Sequence, residues 1–185
     1  MVPLVVPLDH IAGALFSTLL AAGASASPLP SPAQAPPAQS APPPCRAPEH
    51  RQFDFWLGDW NVTDPQGKLV GTNKIESVLG GCVLHESWTG TGMSGNSYNI
   101  YFAGEKRWHQ TWVDNRGTLL ELNGAFQDGQ MVLAGEGPGP QGGRVKHRIT
   151  WSKLDRGRVR QVWESSTDGG VSWTVAFDGT YAPRV

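Results

Sequence analysis

Tight-turn signals that run from Asp to Gly recur through this chain after residue 60, and they leave room only for short strands between them. Asp64-Pro65-Gln66-Gly67, Asp114-Asn115-Arg116-Gly117, Gln127-Asp128-Gly129, Asp155-Arg156-Gly157 and Thr167-Asp168-Gly169-Gly170 share one chemistry. The Asp carboxylate accepts hydrogen bonds from backbone amides of its own turn, and Gly takes the positive-φ position without steric strain. The stretches between them alternate, or are rich in Val, Ile, Thr and Trp, and long helical periodicity is missing. The spacing predicts about ten strands, near 58–64, 69–78, 82–89, 97–103, 107–113, 118–126, 130–136, 144–153, 158–165 and 172–181. One short helix is expected from Pro48 to Trp56, with Pro in its first turn and Phe53, Trp56 and Leu57 at i, i+3 and i+4. Consecutive strands joined by hairpins imply an all-β fold, a single closed up-and-down antiparallel barrel, because closure removes the unpaired edges.

The first 48 residues have a different character. Ile11 to Ala22 is an apolar stretch of signal-peptide length, and Ala24-Ser25-Ala26 fits the small-residue cleavage rule, so residues 1–26 are expected to be an export signal. No Lys or Arg precedes the stretch, which departs from the usual positive front. Residues 27–48 are Pro, Ala, Ser and Gln with almost nothing to bury, the composition of an extended tether. The barrel is therefore assigned to residues 49–185, in an exported protein.

Charge excludes some function classes. Fifteen basic residues against sixteen acidic ones do not make a broad binder of nucleic acid or anionic membrane. No apolar run after residue 26 is long enough to span a membrane as a helix. Two cysteines are too few for a four-cysteine zinc site, and no two His sit at metal-ligand spacing, so neither metal nor cofactor is assigned. Cys45 and Cys82 would pair in an oxidising compartment, pinning the end of the tether to the barrel, and would otherwise be two thiols.

Strand alternation sorts side chains onto faces. One face of 107–113 carries Trp108, Gln110 and Trp112; one face of 82–88 carries Cys82, Leu84, Glu86 and Trp88; one face of 158–165 carries Val159, Gln161, Trp163 and Ser165. A barrel packed only for stability would place Val, Leu and Ile there. Trp interleaved with Gln and Glu instead suggests a cavity for a small, partly polar ligand, with Trp88, Trp108, Trp112 and Trp163 as walls and Glu86, Gln110 and Gln161 orienting the ligand. The competing reading is a filled core whose polar groups satisfy one another. Arg160 is expected to reach either Glu164 or Glu86.

Phe53-Asp54-Phe55-Trp56-Leu57-Gly58-Asp59-Trp60 opens the barrel, and its Gly58-x-Trp60 resembles the signature of lipocalins and other calycin barrels. In those barrels the Trp closes one end and an Arg from the last strand lies across it, which makes Arg184 the matching residue. Gly80-Gly81-Cys82-x-x-x-Glu86-x-Trp88, Trp108-His109-Gln110-Thr111-Trp112-Val113-Asp114-Asn115-Arg116-Gly117, Val159-Arg160-Gln161-Val162-Trp163-Glu164-Ser165-Ser166 and Asp168-Gly169-Gly170-x-x-Trp173 extend the match. Together they resemble the bacterial family called domain of unknown function 1579, over most of residues 45–182. The resemblance implies a lipocalin-like barrel, usually exported, and carries no established reaction or substrate.

Two further signals are read structurally. Ser166-Thr167-Asp168-Gly169-Gly170-Val171-Ser172-Trp173 matches the Asp-box hairpin of sialidase propellers, but occurs once and serves as a capped turn. Some distantly similar barrels hold haem through an interior His, for which His147, on the face of Ile149 and Trp151, is the candidate; an ordinary hydrogen-bonded histidine is the simpler reading. Three functions stay open: a binding protein, an enzyme with Glu86 as general acid or base and Arg160 stabilising an anion, and a structural or envelope-interaction module with a filled core. A strongly raised Glu86 pKa would favour the enzyme, a cavity of hundreds of cubic ångströms without that shift the binder, and no cavity the module.

Overall fold

Antiparallel pairing runs without interruption around the molecule. The strands are β1 (Gly58–Thr63), β2 (Leu69–Val78), β3 (Val83–Gly90), β4 (Met93–Phe102), β5 (Arg107–Asp114), β6 (Leu119–Gln127), β7 (Gln130–Pro138), β8 (Arg144–Lys153), β9 (Val159–Ser166) and β10 (Thr174–Pro183). Each pairs with the next, and β10 returns to β1 through Trp60 opposite Pro183 to Thr63 opposite Thr180, closing the barrel. The structure, a computed structural model, describes residues 44–139 and 142–184. The expected signal segment and most of the tether lie outside the described residues. Among the described residues no helix is long and apolar enough to cross a membrane.

The Asp carboxylate bonds back to its own turn at Asp64, Asp114 and Asp168, whereas at the other two turns Asp128 and Arg156 themselves take positive φ beside Gly129 and Gly157. Asp64 Oδ1 accepts from the amides of Gln66 and Lys68 at 3.0 and 2.9 Å, and Asp114 Oδ1 from those of Arg116 and Thr118 at 2.9 and 3.0 Å. Asp168 caps the amides of Val171 and Ser172, and hydrogen bonding by Ser172 and Ser166 holds its carboxyl far below the ordinary carboxylate range. That hairpin is a structural turn, with Trp173 donating to the Gly170 carbonyl at 3.2 Å.

Two expectations need correction. β4 begins at Met93 rather than near residue 97, because Gly90 stands directly opposite Met93 and Thr91-Gly92 alone makes the connection. Thr-Gly is not among the dipeptides that mark a two-residue hairpin from sequence. The expected Pro48 to Trp56 helix is instead two 3₁₀ turns, Pro48–Arg51 and Asp54–Trp56. Together the two turns bury His50, Phe53 and Trp56.

This N-terminal segment plugs one end of the barrel. Phe53 stacks on Trp56 with ring centroids 5.0 Å apart and meets Trp151 and Trp108 edge-on at 5.1 and 5.6 Å. A disulfide joins Cys45 to Cys82, the residue just before β3, with their Cα atoms 5.0 Å apart. Closing a loop of that length contributes about 3–4 kcal/mol in the chain-entropy description, and it fastens the plug to the barrel at the β2–β3 connection. The far end, where the 90–93, 114–118 and 166–174 connections gather, is not plugged by this segment.

Candidate functional site

Alternation places the inward faces as the sequence suggests: Leu84, Glu86 and Trp88 from β3, Trp108 and Gln110 from β5, and Val159 and Gln161 from β9 are all buried. Depth along the strands then divides them. A cavity of about 370 Å³ occupies the barrel between the aromatic floor and the loop end. Glu86, Gln110 and Gln161 lie at its lining with Trp88, Trp112 and Trp163, six of the seven residues expected to hold a ligand. The seventh, Trp108, does not line it. Trp108 belongs to the floor, where it is 1% exposed and its indole nitrogen donates to Gln52 Oε1 at 3.1 Å.

Glycines hold the cavity open. A Cβ on Gly95 would come 2.3 Å from Trp112 Cζ2, and one on Gly71 would come 2.6 Å from Trp88 Cη2. Both distances are impossible for real side chains, so the two indoles press against bare backbone and leave the volume in front of them clear. The cavity reaches the loop end at Met93, Asp114, Arg116 and Thr118. Arg116 there donates to the Gly92 carbonyl at 3.1 Å, tying two mouth connections together.

Beneath the indoles lies a network of buried polar side chains. Asn73 Nδ2 donates to Glu86 Oε1 at 2.7 Å, and Ser97 Oγ donates to Glu86 Oε2 at 2.6 Å. Asn99 Nδ2 donates to Ser97 Oγ at 2.9 Å, and Gln110 Nε2 to Asn99 Oδ1 at 2.8 Å. Tyr181 donates its hydroxyl proton to Gln161 Oε1. Asn73, Ser97, Asn99 and Tyr181 were not among the candidates. The same alternation that found Glu86 would have found Asn73, two residues before inward Ile75, and Ser97 and Asn99 on β4.

Glu86 is 4% exposed, and both its hydrogen-bond partners are neutral. Burial pushes its carboxyl up to about 7, against the smaller opposing effect of the Ser97 and Asn73 hydrogen bonds. Burial likewise raises the Tyr181 phenol well above its ordinary value, with the nearby Glu86 charge adding to the effect, so Tyr181 stays protonated. Two polar atoms at this level have no hydrogen-bond partner, Trp88 Nε1 and Asn73 Oδ1.

The arginines sit elsewhere than expected. Arg160 reaches neither Glu86 nor Glu164: its guanidinium pairs with Asp178 through bonds of 2.9 and 2.7 Å on the outer surface. The partner of Glu164 is Arg148, directly opposite it across β8 and β9 and bonded at 2.9 and 3.0 Å. Both arrangements follow from register, since facing and diagonal neighbours on the outer face are the residues within reach. Arg184 does not lie across Trp60. Its backbone amide donates to the Asp59 carbonyl at 2.8 Å and its exposed guanidinium stands 3.9 Å from the Asp59 carboxylate. Trp60 closes the plugged end without it, donating to the Trp56 carbonyl at 3.0 Å and packing edge-on to Tyr181, while Gly58 leaves room for its ring. His147 faces inward and is half-buried, but its Nδ1 accepts from the Trp163 indole at 3.1 Å and it does not line the cavity. Among the described residues no group of three or more His, Cys, Asp or Glu is placed to hold a metal.

Comparison with known families finds no family model that matches this chain, and comparison with curated proteins finds no match.

Proposed function

We propose that this barrel binds a small, partly polar molecule in the Trp-lined cavity above Glu86. The observation that carries the reading is the pairing of an open volume of about 370 Å³ with unspent polar atoms around it. Gln110 uses its amide nitrogen and Gln161 its amide oxygen in the network, so Gln110 Oε1 and Gln161 Nε2 are left to face a ligand. A filled, purely structural core would not leave this volume.

The compartment belongs to the same proposal. A disulfide that fastens the plug suits an oxidising periplasm or exterior, in keeping with the export signal expected in residues 1–26. We also propose membership of the domain of unknown function 1579 family, on the motifs at residues 53–60, 80–88, 108–117, 159–166 and 168–173.

A second reading, acid–base catalysis by Glu86, is favoured by its raised pKa. It has lost its expected anion stabiliser, because Arg160 is bound to Asp178 outside the barrel. The groups bonded to Glu86 are an amide and a hydroxyl, which supply neither a second titrating group nor an activated nucleophile. Binding therefore stands first. Native mass spectrometry on protein purified without reduction from its own host tests it. A retained small-molecule mass that is lost in Trp112→Ala supports binding. Chemical conversion of that molecule on incubation, abolished in Glu86→Gln, would move the second reading ahead.

A further inference from the structure

Among the described residues, the barrel interior holds Glu86 with no positively charged side chain to match it. The side chains that point inward beside Glu86 are Asn73 and Ile75 on β2, and Ser97 and Asn99 on β4. Across the cavity stand Gln110, Gln161 and Tyr181. None carries positive charge. His147, inward on β8, has its Nδ1 occupied by the Trp163 indole, and burial lowers its pKa, so it stays neutral where Glu86 titrates. At the mouth the Asp114 carboxylate caps its own turn and the Arg116 guanidinium is tied to the Gly92 carbonyl. Arg148 and Arg160, on strands adjacent to the cavity, are held outside by Glu164 and Asp178.

A buried carboxyl is expensive to ionise without a counterion, and this one opens onto a cavity whose walls are indoles. Trp88, Trp112 and Trp163 line it, with Phe177 and Tyr181 beside them. Electron-rich rings around an uncompensated carboxylate are a receptor for positive charge on carbon-bearing nitrogen. An anionic ligand would meet Glu86 with only Arg116 at the rim to offset it. Each Glu86 oxygen has accepted one hydrogen bond and keeps a lone pair for a further donor.

We infer that the cavity's ligand is a small organic cation, an amine or quaternary ammonium, whose charged nitrogen is set against Glu86 and whose carbon framework lies among Trp88, Trp112 and Trp163. This rests on the binding reading above and names its ligand class. The cavity volume suits a molecule at the small end of ordinary ligand pockets. Binding of the cation favours the ionised carboxyl, so affinity rises with pH through the range where Glu86 loses its proton, near 7, and levels above it. A neutral ligand accepting a hydrogen bond from protonated Glu86 would show the reverse.

The test uses matched pairs on the full chain with its disulfide intact: choline against 3,3-dimethylbutan-1-ol, and 2-phenylethylamine against 2-phenylethanol. Binding is read by calorimetry and tryptophan fluorescence from about pH 5.5 to 8. The expected result is a preference of about tenfold or more for each cation, growing with pH. Glu86→Gln removes that preference while leaving the alcohols within about twofold. Trp112→Leu, which leaves the Glu86 hydrogen bonds in place, weakens the cations by about three- to tenfold. Alcohols that bind as well as their cations, or affinity that falls as pH rises, overturn the cation inference and leave cavity binding standing. If no probe binds, the native mass spectrum decides. A retained cation upholds the inference, a retained neutral or anionic molecule overturns it alone, and an apo spectrum overturns it together with the binding reading.

Discussion

Glu86→Gln makes a sharp demand on stability as well as on binding. In the unfolded chain this carboxyl titrates near its ordinary 4.5, and in the barrel near 7. Between those values the folded state holds a proton that the unfolded state has released, so the wild-type barrel loses stability as pH rises through the window. The full effect is about 3 kcal/mol, reached above the folded value. Glutamine carries the same shape without the titration. Its added N–H₂ can donate to Asn73 once the Asn73 carboxamide turns its unpartnered Oδ1 toward it, so the network survives. The stability of Glu86→Gln relative to wild type should therefore improve by about 2–3 kcal/mol between about pH 5 and pH 8. Urea unfolding of ligand-free protein at several pH values reads this as a midpoint difference that widens by about 1 M or more. Differencing the two proteins cancels the other titrating groups they share. Parallel pH curves for the two would refute the argument, since they would mean that Glu86 is ionised as easily inside the barrel as out.

Three further outcomes follow from the geometry. Replacing both Cys45 and Cys82 by Ala should lower stability by about 3–4 kcal/mol in thermal or urea unfolding, with a native-like barrel by circular dichroism, because the chain loses a closed loop rather than core packing. Gly95→Ala should destabilise by about 1–3 kcal/mol and push the Trp112 indole into the cavity, seen as altered tryptophan fluorescence and weakened probe binding, since the new Cβ would overlap the ring. Arg160→Ala should change unfolding free energy by less than about 1 kcal/mol and leave probe binding untouched, because its pair with Asp178 is half-exposed and lies outside the barrel.

The barrel's outline was written locally. Asp64, Asp114 and Asp168 cap their own turns through bonds that span four residues or fewer, so each turn is legible in a window of its own length. The alternation of Glu86 with Trp88, and of Gln110 with Trp112, is equally local, because successive Cβ atoms of a strand point to opposite faces whatever they pack against. Where local chemistry was unusual the reading slipped. Thr91-Gly92 is not a recognised hairpin dipeptide, so the sequence starts β4 near 97 rather than at Met93.

Facing is a property of the strand; depth and partnership are properties of the barrel. Period-two alternation told that Trp108 and Trp112 point inward together. Only the plug formed by Phe53 and Trp56 decided that Trp108 is floor and Trp112 is wall. Arg160 could be placed on the outer face from sequence, yet the register of β9 against β10 chose Asp178 as its partner over either glutamate. The same holds for Glu86. Its inward position was legible, but its neutral surroundings came from neighbouring and distant strands together, with Asn73 on β2, Ser97 on β4, Gln110 on β5, Gln161 on β9 and Tyr181 on β10 gathered around it. A sequence lists the charges a chain owns, whereas closure of the sheet decides which of them share a low-dielectric interior, and that sharing is what sets their chemistry.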